Sequence, residues 1–307
     1  MSTWTVSPRT FLRIAQVNLV LVVVNIVTGA AVRLSDSGLG CPDWPNCTRS
    51  HLTAPLAGHR GIEFGNRLVV VAVVVAAAVA VVAAWRRRPT RRDLTWLASG
   101  LVGGVVGEAV VGGIVVYSKL NPYVVMTHFL LGVAVLTDAA VLARRAGRAG
   151  TPGVAKVGRA EVAGGRLLLG LTAVVIAAGT AATGAGPHAG GQGARRIPVP
   201  LDDLVRTHSG LALVLVAATL GVLWGLHRHR APPSVRDRGQ VLLAVLVGQA
   251  VVGYTQFFTH LPPVLVGVHV FGAAMVWLAV LAYGDGLYHH EPEVDPVPAG
   301  PLTGVAA

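Results

Sequence analysis

The residues able to do redox or acid–base chemistry in this chain are few, and they recur at matched places. His208 stands in the segment RTHSGLALV and His269 in VGVH, each near the beginning of a long apolar run. His128 occupies the corresponding place in YSKLNPYVVMTH. An ionisable side chain inside a bilayer is costly and needs a reason. For one such His, a hydrogen bond to a neighbouring carbonyl is reason enough. Two imidazoles at equal depth on two helices have a more specific use: they can clamp one haem iron from both faces as axial ligands. Zinc is the other metal to weigh, but it usually takes three or four ligands close together, and these residues are divided between two halves of the chain. Haem is favoured.

A second group precedes His128. His59, Glu63 and Asn66 share one helical face at i, i+4 and i+7, provided the second helix begins early enough to contain them. Glu63 reads either as a solvated cap residue or as a carboxylate facing the same cavity as His128, placed for proton transfer. The two cysteines, Cys41 and Cys47, bracket the motif CPDWPNC in the preceding loop. If that loop faces an oxidising compartment, the thiols persist as a disulfide. The closed loop is then a structural staple, or it has a redox or docking role. Lys119, Arg195 and Arg196 lie on the same side, where they could meet haem propionates.

The elements that must position these groups are membrane spans. Of 307 residues, 53% are hydrophobic and only 13% charged, and mean hydropathy is +0.63. A soluble domain carries about 25% charged residues, so this chain lacks the polar surface for a water-facing globule. Apolar runs near the roughly 20 residues needed to cross a bilayer predict eight spans, at 11–32, 65–85, 94–117, 124–143, 165–184, 204–226, 239–258 and 264–284. The first is longer than a signal-peptide core and has no clear small-residue cleavage site. The net charge of +11 does not call for a nucleic acid, because basic residues of membrane proteins gather in cytoplasmic loops. With both termini cytoplasmic, 17 of the 25 Lys and Arg residues fall on the inner side. Cys41, Cys47, His128, His208 and His269 then all lie toward the outer side. The Pro-rich acidic tail from Glu291 is expected to be disordered.

The chain also repeats. Residues 107–128 (GEAVVGGIVVYSKLNPYVVMTH) align with 248–269 (GQAVVGYTQFFTHLPPVLVGVH), sharing Gly107/Gly248, Gly112/Gly253, Leu120/Leu261, Pro122/Pro263 and His128/His269. Two four-helix halves of equal orientation imply a pseudo-twofold axis along the membrane normal. The expected architecture is an all-α integral membrane protein with a first half at 1–143, a second at 165–285 and a disordered cytoplasmic tail at 286–307. His208 corresponds to Asn66 between the halves, and the loop bearing both cysteines belongs to the first half alone.

The stretch TGAAVRLSDSGLGCPDWPNC (Thr28 to Cys47), followed by EFGNR at 63–67, YSKLNPYVVMTH, RTHSG and VGVH in that order, resembles the haem A synthase family over about residues 11–285. The resemblance implies an oxidoreductase with haem B in the second half on His208 and His269. It implies a haem O substrate site in the first half near Glu63 and His128, where the C8 methyl is oxidised through hydroxylation to the formyl of haem A. The implied partners are haem O itself, the haem O synthase and an electron acceptor, in the cell membrane. Where that family commonly has a His one turn after the glutamate, this chain has Asn66. A different class, a non-enzymatic b-type membrane cytochrome or a haem carrier, would use the same repeats. A transmembrane electron carrier would want haems near both surfaces, whereas all three candidate ligands lie on one side.

Overall fold

Proline opens four of the long helices, where its missing N–H is no loss: Pro8, Pro122, Pro233 and Pro263. At two of these starts a side chain satisfies a free backbone donor as well. Ser7 Oγ accepts from the Thr10 N–H at 3.2 Å and Asn121 Oδ1 from the Tyr123 N–H at 3.0 Å. The computed structural model describes residues 4–293. Its helices are α1 (Pro8–Leu34), α2 (Gly58–Arg86), α3 (Arg92–Tyr117), α4 (Pro122–Ala146), α5 (Arg159–Ala185), α6 (Leu201–Arg228), α7 (Pro233–Phe258) and α8 (Pro263–Gly286).

Each expected span lies inside one of these helices. The shortest has 24 residues and the longest 29, so at about 1.5 Å per residue every one exceeds the roughly 30 Å hydrocarbon core of a bilayer. All eight are apolar enough to cross it, and the chain is a multi-pass membrane protein. Lipid offers little hydrophobic force to press helices together, so close approach depends on small residues. On α2 the buried positions include Ala77, Ala80, Ala83 and Ala84, whereas Val71, Val75, Val79 and Val82 face outward.

The helices close into two rings. In the first half α1 packs on α2, α2 on α3, α3 on α4 and α4 back on α1; α5 to α8 do the same in the second. Between halves, α1 meets α8, α4 meets α5, and α4 meets α8. Exchanging α1 with α5 and α4 with α8 turns the first of these contacts into the second and leaves the third unchanged, as a twofold axis between α4 and α8 requires.

Polar bonds fasten the halves at both ends. At the end carrying the cysteine loop, Arg33 donates to the carbonyls of His188 (2.6 Å) and Thr183 (2.7 Å), and the Gly38 N–H donates to Gly190 (2.8 Å). At the opposite end Arg144 donates to the Leu278 carbonyl at 3.0 Å, and Arg148 pairs with Asp285. Within the α4–α8 contact, Trp277 Nε1–H donates to Thr137 Oγ1 at 2.8 Å.

The start of the tail departs from the expected disorder. Tyr288–His289 pairs as an antiparallel strand with Val154–Ala155 of the α4–α5 connection. The Glu293 carboxylate forms ion pairs with Arg87 at 2.7 Å and with Arg91 at 3.0 Å. Arg87 is fully buried and needs an anion there, which composition alone does not reveal. Residues 294–307 of the expected tail lie outside the described residues.

Candidate functional site

In the first half, α2 starts at Gly58, so His59, Glu63 and Asn66 do belong to one helix. Their side chains turn toward α1 and the loop that follows it. His59 Nδ1 lies 2.9 Å from Ser37 Oγ, and the Thr28 hydroxyl donates to Asn66 Oδ1 at 2.7 Å. Glu63 is buried; its Oε2 accepts from the Cys41 N–H and its Oε1 from Arg67, both at 2.7 Å. Arg67, one turn on, also donates to the carbonyls of Cys41, Asp43, Pro45 and Asn46 at 2.9–3.2 Å. The guanidinium fork therefore gathers the whole CPDWPNC loop onto the end of α2.

Cys41 and Cys47 are joined by a disulfide. The loop crosses to α3, where Trp44 packs against Gly113 so closely that a Cβ there would stand 2.9 Å from the indole. The Tyr117 hydroxyl donates to the Trp44 carbonyl at 2.5 Å. Both thiols are therefore expected to resist alkylation in freshly isolated membranes until a reductant is added. Thiols that label at once would contradict the bond. Cutting it costs about 2–3 kcal/mol by the chain-entropy account of so short a loop, and the Arg67 bonds remain to hold the loop's position.

His128 on α4 faces α3. A Cβ at Gly112 would stand 3.4 Å from its Cε1, and Glu108 Oε2 lies 3.3 Å from its Nδ1. The carboxylate beside His128 is thus Glu108. Glu63, whose sequence allows either a solvated cap or a place facing the His128 cavity, is instead buried and turned onto the loop backbone and Arg67. Glu108 falls inside the repeated segment and is not among the residues the sequence singles out. Its signal was an ionisable residue within an apolar span, with Gln249 at the matching place in the other half.

In the second half His208 and His269 come together. Their ring centroids are 6.1 Å apart with planes at 84°. Two ligand bonds of about 2 Å and two ring half-widths of about 1 Å place imidazoles facing one metal ion at about 6 Å between centroids. His208 Nδ1 lies 3.0 Å from the Val175 carbonyl, the outer hydrogen bond that fixes a ligating imidazole and leaves Nε2 as the free lone pair. Glycines admit both rings: a Cβ at Gly179 would stand 2.9 Å from His208 Cε1, and one at Gly253 3.1 Å from His269 Cε1. Gly112 and Gly253 thus serve His128 and His269 alike, as the repeat predicts. Among the described residues no three His, Cys, Asp or Glu side chains gather as a metal-ion cage. The arrangement is a facing pair, which suits a planar metal group better than a bare ion.

Residues 12–59 and 57–190 match the model of a family described as cytochrome oxidase assembly protein. The chain is 34% identical over 106 residues to a protein named Heme A synthase from Geobacillus thermodenitrificans, covering 34% of this chain and 32% of that one. A protein of the same name from Geobacillus kaustophilus is 33% identical over 106 residues, with the same coverage. One from Shewanella oneidensis is 48% identical over 44 residues, 14% of this chain and 13% of its own. The chain thus spans about a third of the length of the first two relatives. The two matched segments together cover residues 12–190, more than half the chain, and this multi-pass membrane protein belongs to the cytochrome oxidase assembly protein family.

Proposed function

We propose that this chain is a haem A synthase, an oxidoreductase that converts the C8 methyl of haem O to the formyl of haem A. The observation that carries this reading is the asymmetry of the two halves: a facing His208–His269 pair in one, and His128 with Asn66 at the equivalent positions in the other. The names of its relatives support the same activity.

His208 and His269 would hold haem B, whose iron supplies one-electron transfer when bound. The residues fit that group by their separation, by the Val175 anchor on His208 and by the glycines that admit both rings. In the first half His128 would supply an imidazole to the iron of haem O. An amide is a poor iron ligand beside imidazole, so the Asn66 side leaves the substrate's other face open to an oxidant. The Thr28 bond to Asn66 Oδ1 leaves the amide N–H groups to donate. Glu63 is assigned proton transfer at the substrate: a carboxylate accepting two hydrogen bonds keeps further lone-pair sites. The cysteine loop is held over that end of the half by Arg67 and Trp44.

The methyl would become hydroxymethyl by taking an oxygen atom from water and losing two electrons and two protons. The hydroxymethyl would become formyl by losing two more of each. An acceptor takes the electrons, and haem O arrives from the membrane or from the haem O synthase. The distribution of Lys and Arg supports cytoplasmic termini in the cell membrane, which puts the cysteine loop and both haem sites toward the outer face. The test is to extract haem from membranes of cells that make haem O, with and without this protein, and separate it by chromatography. Haem A is expected only where the protein is present. Unchanged haem O overturns the reading and leaves a b-type cytochrome or haem carrier.

A further inference from the structure

Glu108 on α3 is buried, 9% exposed. Its Oε2 stands 3.3 Å from His128 Nδ1 on α4. Glu108 Oε1 and His128 Nδ1 are both buried without a hydrogen-bond partner, a state that costs free energy and is uncommon in folded proteins. Small residues bring the two helices close at this level: a Cβ at Gly132 would stand 3.6 Å from Glu108 Oε2. At the matching place in the second half stands Gln249. Its Nε2–H donates to the His269 carbonyl at 2.6 Å and leaves His269 Nδ1 buried without a partner. Only one of the two related imidazoles has an anion behind it.

We propose that Glu108 is a positioning residue for His128. Its carboxylate accepts the Nδ1–H, fixes the tautomer in which Nε2 carries the lone pair, and makes His128 a stronger donor to iron than His269. Carboxylates behind metal-ligating imidazoles orient the ring and raise its basicity in this way. The consequence is two irons tuned apart by one residue: the substrate iron backed by an anion, which favours its oxidised state, and the second-half iron on neutral imidazoles.

This inference rests on the synthase reading for the identity of the ligand. Its test uses full-length protein purified as wild type, Glu108→Gln and Glu108→Asp, with haem O as the probe and the low-spin spectrum of the second-half haem as the check on folding. Glu108→Gln is expected to weaken haem O binding by about 10–100-fold and to raise the midpoint potential of the bound haem O. It should leave the second-half spectrum unchanged, and Glu108→Asp should recover part of both effects. Wild-type affinity and potential in Glu108→Gln overturn the proposal, and so does loss of both haems in both variants, which would make Glu108 a folding residue. If the binding and potential shifts appear but wild-type protein makes no haem A, the positioning role stands and the synthase reading falls.

Discussion

Replacing either His208 or His269 with Ala is expected to strip the second-half haem from the purified protein or to turn its low-spin b-type spectrum high-spin. The two rings approach from different helices, α6 and α8, with centroids 6.1 Å apart, so neither variant has a spare imidazole at the vacated position. One remaining ligand leaves an iron five-coordinate or weakly capped. The fold has less to lose than the cofactor, because each ring sits against a glycine and truncation to Ala relieves tight contacts without opening the packed interface between halves. The measurement is the pyridine haemochrome content together with the visible spectrum, with His128→Ala alongside. His128→Ala should leave the low-spin signal in place. Unchanged spectra in both His208→Ala and His269→Ala would place the haem on other residues.

Much of this arrangement was legible in the sequence, for identifiable reasons. Apolar runs long enough to cross a bilayer report directly on helices whose surroundings are lipid. The Gly112/Gly253 and His128/His269 matches report on packing, because an imidazole can lie flat on a neighbouring helix only where that helix lacks a side chain. Spans became misleading where polar chemistry replaced hydropathy. The second span reads as 65–85, yet α2 starts at Gly58, because Glu63 and Arg67 satisfy themselves on the cysteine loop rather than on water. The i, i+4 spacing of Glu63 and Arg67 was visible. Their four carbonyl acceptors were not, since those depend on the backbone path of the loop. Glu108 escaped notice for the opposite reason: one charged letter in an apolar run looks like an irregularity until Gly132 and His128 are brought beside it from α4. The first residues of the tail look disordered by composition because their anchor is remote: Glu293 is held by the buried Arg87 and by Arg91, the latter 202 positions earlier.

Replacing Glu63 with Gln is expected to lower haem A formation by roughly 10²–10⁴, the usual range for loss of a general acid or base. Gln keeps the size of the side chain and an oxygen that can still accept the Cys41 N–H, now 2.7 Å from Glu63 Oε2. Arg67 retains its four loop carbonyls, so the loop should stay in place and the second-half haem should be bound as in wild type. What the variant removes is the negative charge and the site for a proton. The fall should therefore appear in turnover rather than in haem content, and it separates proton transfer from the anchoring of the loop. If Glu63 only anchors the loop, Glu63→Gln should be near wild type while Arg67→Ala, which releases four carbonyls at once, is severely impaired. If the carboxylate moves protons, Glu63→Gln should be slow even though Cys41 and Cys47 remain protected from alkylation. Haem A formation in each variant, measured beside thiol labelling of the same membranes, decides between them, and wild-type rates in Glu63→Gln would end the proton-transfer assignment.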